Sequence, residues 1–274
     1  FESTYYVPRP DHNPDSDIVS MTWAGAKSEN LASVWLLYHL TDRLNLGEFK
    51  KVTEGLGLAR KESETYNEYV ERIRDRHGVI VDETSLMEAA FEAAKKDVES
   101  DLIFRGEEKA IKNLNRLHFD IKEEKIDKQD ENNHEISRYN FNRLKRINSI
   151  LKKSTGLDSY LGDIWVDGLI PSWVIDLLEE NIDKRFRELI RLERYDIEVL
   201  YQVRDFRILV NLYYVRQLAH EMGASTPLDA VLSFPLGANS ISILEAALMY
   251  NTMMTGKMYT VDRDAGHDMI PIIT

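Results

Sequence analysis

Three short serine patterns in this chain could carry chemistry. Ser149-Ile150-Leu151-Lys152 fits Ser-x-x-Lys, where a lysine one helical turn away can deprotonate a serine nucleophile. Its surroundings, Lys145, Arg146, Lys152 and Lys153, read instead as an exposed basic helix end. Lys153-Ser154-Thr155-Gly156 imitates a Lys-Ser/Thr-Gly strand motif but falls at the end of the same expected helix. Ser28-Glu29-Asn30 is the third pattern, a hydroxyl and an amide two residues apart. Within an ideal helix such positions diverge, whereas in a loop leading into a helix both can face one cleft. The plainer alternative is that Ser28 or Asn30 caps the helix beginning near Leu31.

Other chemistry finds less support. His39, His118, His134 and His220 stand on different expected elements, with no His-Glu-x-x-His spacing, so no metal site is expected. No glycine-rich phosphate loop and no Gly-x-Ser-x-Gly elbow occurs, and no cofactor is expected. The absence of Cys removes disulfides, zinc fingers, iron–sulfur clusters and thiol nucleophiles together. The 274 residues carry 35 Lys and Arg against 47 Asp and Glu, a net charge of −12. That balance argues against nucleic acid as a partner. A hydrophobic share of 43% is enough for a packed core.

The elements that must position these residues are mostly helices. Residues 1 to about 27 read as irregular, broken by Pro8, Pro10 and Pro14, with Tyr5-Tyr6-Val7 as a short strand. Leu31 to Leu46 reads as a helix, followed by a shorter one through Phe49 and Val52 that Gly55-Leu56-Gly57-Leu58 closes. From Lys61 to Arg204 the sequence is strongly charged and helical, with Gly sparse. Ser85-Leu86-Met87-Glu88 has capping-box spacing, and further helices are expected over 106–126, 135–153, 171–193 and 197–221. Asp120 to Glu135 is an acidic cluster. Leu228 to Val231 reads as a short helix, Ser242-Ile243-Leu244-Glu245 as a capping box opening a helix that Gly256 ends. Met258-Tyr259-Thr260-Val261 and Met269 to Thr274 read as strands. No run approaches the ~20 apolar residues of a membrane helix.

Two separated blocks resemble a known family. Met21-Thr22-Trp23-Ala24-Gly25-Ala26-Lys27-Ser28-Glu29-Asn30-Leu31-Ala32-Ser33-Val34 resembles the second active-site motif of penicillin-binding transpeptidases, with Gly55-Leu56-Gly57-Leu58 as its close. Ser225-Thr226-Pro227-Leu228, then Leu232-Ser233-Phe234-Pro235-Leu236-Gly237-Ala238-Asn239, then Ile243-Leu244-Glu245-Ala246-Ala247 and Tyr250, resembles the stretch before the third motif in class A members, the bifunctional peptidoglycan synthases. Both blocks occur in family order.

The resemblance implies a mainly α chain, a helical fragment of an α/β transpeptidase fold with short strands at both ends and a large all-α insertion. Its parts are a transpeptidase-like segment over 1–58, a charged helical insertion over 59–204, and a second transpeptidase-like segment over 205–274. It implies that Ser28 relays a proton to the leaving amine and that Asn30 positions the substrate's amide. The family's Ser-x-x-Lys precedes Ser-x-Asn, so Ser149 cannot inherit that role, and the nucleophile is expected outside this chain. Phe1 at position 1 and the apolar run ending at Thr274 fit a piece of a larger enzyme. The expected partners are a peptidoglycan stem peptide and β-lactams, with an envelope protein docking on the insertion and any membrane anchor lying elsewhere. The expected location is extracytoplasmic, in the periplasm or on the outer face of the cytoplasmic membrane. The alternative is a non-catalytic α-helical interaction module, or an inactive transpeptidase relative.

Overall fold

The structure, a computed structural model, describes residues 20–27, 29–119, 139–155 and 164–257. The chain is mainly helical and divides into two compact units. Residues 1–79 with 205–274 make the first, and 80–204 the second. Residues 59–79, which composition groups with the charged middle, therefore count with the first unit.

In the first unit, α1 (Met21–Lys27) occupies a stretch expected to be irregular. A serine hydroxyl explains its start, since the Trp23 N–H donates to Ser20 Oγ at 3.1 Å. Next come α2 (Asn30–His39), α3 (Leu46–Gly55) and α4 (Tyr66–Glu71). The stretch expected as one helix from Leu31 to Leu46 thus ends at His39. Asn45 and Glu48 form a capping box there, which starts a new helix in place of continuing the old one. Thr65 and Glu68 do the same for α4, which widens into a π-helical turn over Arg72–Arg76.

The second unit holds α5 (Glu83–Arg105), α6 (Glu108–Asn115), β1 (Leu117–His118), β2 (Tyr139–Asn140), α7 (Phe141–Thr155), β3 (Trp165–Val166), β4 (Ile170–Pro171), α8 (Ser172–Leu189) and α9 (Ile197–Leu200). The strands are two-residue pieces: β1 pairs with β2 in parallel, β3 with β4 antiparallel. Asp82 rather than Ser85 is the N-cap of α5. Its carboxylate accepts from the Ser85 N–H at 2.8 Å while Ser85 Oγ accepts from the Asp82 N–H at 2.9 Å. The core lies where α5 packs on α8, Ala90, Phe91, Ala94, Val98 and Leu102 facing Val174, Ile175, Leu178 and Ile182. Alanines on one face let two helices approach closely. Arg185 of α8 forks onto Asp97 of α5 at 2.9 and 3.0 Å across the same seam.

The helix expected over 197–221 is broken at Tyr201–Val203, and α10 (Arg204–Glu221) follows α9. The first half of α10 is buried almost all round, from Phe206 through Leu212, whereas Tyr214 and Leu218 are exposed. Phe206 meets Phe49 of α3 edge-on at 6.1 Å between centroids, both fully buried. Leu228 to Val231 is not a helix. The Asn239 side chain accepts from the Asp229 N–H at 2.8 Å and donates to its carbonyl at 3.1 Å, so this backbone is held from outside and not by helical bonds. A 3-10 turn over Phe234–Leu236 and α11 (Ile243–Thr255) complete the first unit. Tyr5–Val7, the acidic cluster 120–135, Met258–Val261 and Met269–Thr274 lie outside the described residues.

Candidate functional site

The two family-like blocks fall in the first unit. Ser28 lies outside the described residues; Asn30 is the first residue of α2 and is exposed. The N-cap of α2 is Glu29, which makes no side-chain cap bond, so Asn30 does not spend its amide on capping. Ser33 Oγ donates to the Glu29 carbonyl at 3.2 Å.

α2 is tied down at its other end. The last carbonyls of a helix have no intrahelical partner. Asn211 of α10, fully buried, donates to the carbonyls of Leu37 at 2.7 Å and Tyr38 at 3.3 Å. Its Oδ1 has no partner among the described residues. Beside it, Leu37, Ile208 and Leu212 form a buried cluster against which Tyr38 and Phe234 pack. Phe234 also packs on Ala219, Ala224 and Leu228. α2 therefore rests directly on the 3-10 turn that carries Phe234-Pro235-Leu236.

The second block is organised by one carboxylate. Glu245 completes the α11 capping box, accepting from the Ser242 N–H at 2.7 Å while its own N–H donates to Ser242 Oγ at 3.2 Å. Its Oε1 also accepts from the Ser225 N–H (2.7 Å) and hydroxyl (2.7 Å), and from the Thr226 N–H (2.6 Å) and hydroxyl (2.9 Å). These donors, the Ser242 N–H foremost, hold the Glu245 carboxyl far below the usual carboxylate range. Gly223 turns the chain into this clasp with φ 117°, and a Cβ there would sit 2.9 Å from the Leu248 Cβ.

The other sequence candidates are committed elsewhere. Ser149 of α7 is exposed, but Lys152 donates to Asp176 of α8 at 2.6 Å and is not a free base for it. The same carboxylate accepts from Asn148 Nδ2 at 2.9 Å, and the buried Ser172 hydroxyl donates to Asn148 Oδ1 at 2.5 Å. Ser154 donates to the Leu151 carbonyl within the last turn of α7. His39 pairs with Asp42 at 2.6 Å, and His220 Nδ1 lies 2.6 Å from the Ala224 carbonyl. Among the described residues no group of three metal-ligating side chains occurs. Among them too, no helix is long and apolar enough to cross a membrane.

Sequence reasoning did not single out Asn211, or a cluster of His77, Tyr213 and arginines at the π-helical turn. Asn211 carried one available signal, a polar residue inside an apolar helix. Compared with known proteins, the chain matches no family model, no curated protein and no solved structure.

Proposed function

We propose that this chain is part of a peptidoglycan D,D-transpeptidase whose nucleophile lies in sequence beyond it. The reading rests on the two blocks quoted above and on one observation. Segments far apart in sequence, α2 behind Ser28-Glu29-Asn30 and the Phe234–Leu236 turn, pack against each other through Leu37, Tyr38 and Phe234. A chance pair of motifs has no reason to be neighbours. The exposed, uncommitted Asn30 amide suits a group that holds a substrate amide.

In this reading an external serine is acylated by a D-Ala-D-Ala stem peptide, and an amine of a neighbouring strand resolves the acyl-enzyme. Ser28 relays the proton to the leaving amine, and Asn30 orients the donor. Neither forms a covalent bond to substrate. The fold would be the helical side of an α/β transpeptidase, working outside the cytoplasmic membrane, with residues 80–204 as a decoration.

Labelling the full-length protein with a fluorescent penicillin tests the reading. A covalent, denaturation-resistant label that Ser28→Ala slows by about 100-fold is expected. No label at all would favour the non-catalytic module, and full labelling of Ser28→Ala would remove Ser28 from the relay.

A further inference from the structure

We propose that His77, Arg76 and Arg216 form a binding site for an oxyanion, a phosphate or a carboxylate group. The site goes beyond the transpeptidase reading and does not depend on it.

It starts from the wide turn at the end of α4. A π-helical turn adds a residue to the α period, and such turns recur at functional sites. Here it spans Arg72–Arg76, and His77 follows directly. Tyr213 of α10 meets His77 edge-on, ring planes 88° apart and centroids 5.4 Å apart, with its hydroxyl 3.1 Å from Nδ1. One turn along α10, the Arg216 guanidinium carbon sits 4.0 Å from the Tyr213 ring centroid. Imidazole, phenol and guanidinium thus form a continuous row.

The arginines divide sharply by what they hold. Arg72 spends its donors on Glu64 (2.7 and 2.9 Å), the Gly57 carbonyl (3.0 Å) and the Ala59 carbonyl (2.9 Å). Arg74 forks onto Asp75 at 2.6 and 2.8 Å. Arg76 and Arg216 make no hydrogen bond or ion pair among the described residues. A guanidinium stacked on a ring keeps its edge donors free for a planar or tetrahedral oxyanion. The Glu64 and Asp75 carboxylates are already taken by Arg72 and Arg74.

The imidazole adds a neutral donor. Burial, then the charges of Arg72, Arg216 and Arg76, hold the His77 pKa below its ordinary value. With the Tyr213 O–H donating to Nδ1, the ring hydrogen resides on Nε2, where it can meet an acceptor. Among the described residues that N–H and two guanidinium forks then have no acceptor of their own, in a chain whose net charge is −12.

The test titrates the full chain with sodium phosphate and, separately, sodium acetate, at ionic strength fixed with sodium chloride. His77 ring resonances, assigned with His77→Asn, report binding by nitrogen–proton NMR. A saturable shift with millimolar half-saturation is expected. Arg216→Gln and Arg76→Gln should each weaken it about tenfold, and the double variant should lose it with helicity unchanged. Tyr213→Phe should change the Nδ1 and Nε2 shifts to those of a tautomer mixture and weaken binding severalfold. Response to phosphate alone assigns a phosphate group, and to acetate alone a carboxylate. No saturable shift, the same shift with chloride alone, or a shift surviving the double variant overturns the site.

Discussion

The Glu245 carboxylate holds Ser225 twice: one oxygen accepts both its backbone N–H and its hydroxyl at 2.7 Å. Because the same side chain caps α11, one group both starts a helix and closes the turn leading to the Pro-Leu-Gly loop. Glu245→Gln keeps the shape but loses the charge that strengthens every one of these bonds. We expect the thermal midpoint to fall by several degrees, with Glu245→Ala lower still, measured by circular dichroism.

Glu64 predicts an acid limb in stability. Hydrogen bonding to Arg72 lowers its pKa to about 2 in the folded chain. An unfolded glutamate titrates near 4.3. A depressed folded value means the stabilisation is complete above the unfolded value and is lost as pH falls from there towards 2. Urea titrations between pH 6 and 2.5 should show this loss, and Glu64→Gln should reduce it. Arg72→Met should cost about 1–2 kcal/mol at neutral pH, discounted for partial exposure, since it frees two loop carbonyls as well as the carboxylate.

Asn211 makes a sharper test of α2. Asn211→Ala should cost about 1–3 kcal/mol, because two helix-end carbonyls lose a donor in a buried place. Asn211→Asp should be worse at neutral pH and recover part of the loss in acid, since it sets a negative charge against those carbonyls. Chemical denaturation at pH 7 and pH 5 separates the two variants.

Phe206 anchors the first unit. Phe206→Ala removes a fully buried ring packed on Phe49 and should cost about 3–5 kcal/mol. Tyr250→Ser, on the exposed face of α11, should change stability by less than about 0.5 kcal/mol. Equal effects from the two would contradict the burial pattern.

Local rules read in the sequence carried as far as their donors were adjacent. Ser242 and Glu245 set the start of α11, and Gly256, at φ 67°, its end, where spacing alone had put them. Ser85 has the spacing of a cap, yet it is the N3 partner in the capping box of Asp82, three residues earlier. Pro171, expected inside the first turn of α8, is its N-cap and also pairs in β4. The apolar face of α10 showed that it is buried, yet not that Asn211 would turn inward to cap α2, because that partner lies far away in the chain. The same distance hid His77 from Tyr213. Of the candidate site, Asn30 was legible as standing at a helix start, whereas the contact of α2 with Phe234 depends on long-range packing that no local pattern encodes.

The split of the first unit has a consequence during synthesis. Leu37 and Phe49 leave the ribosome long before Ile208 and Leu212, which pack on the first, and Phe206, which packs on the second, have been made. At about 5–20 residues per second, the early helices wait on the order of ten seconds for their other half. Residues 80–204 are themselves completed only as Phe206 is reached, so through that interval the early helices stay open to chaperones and proteases.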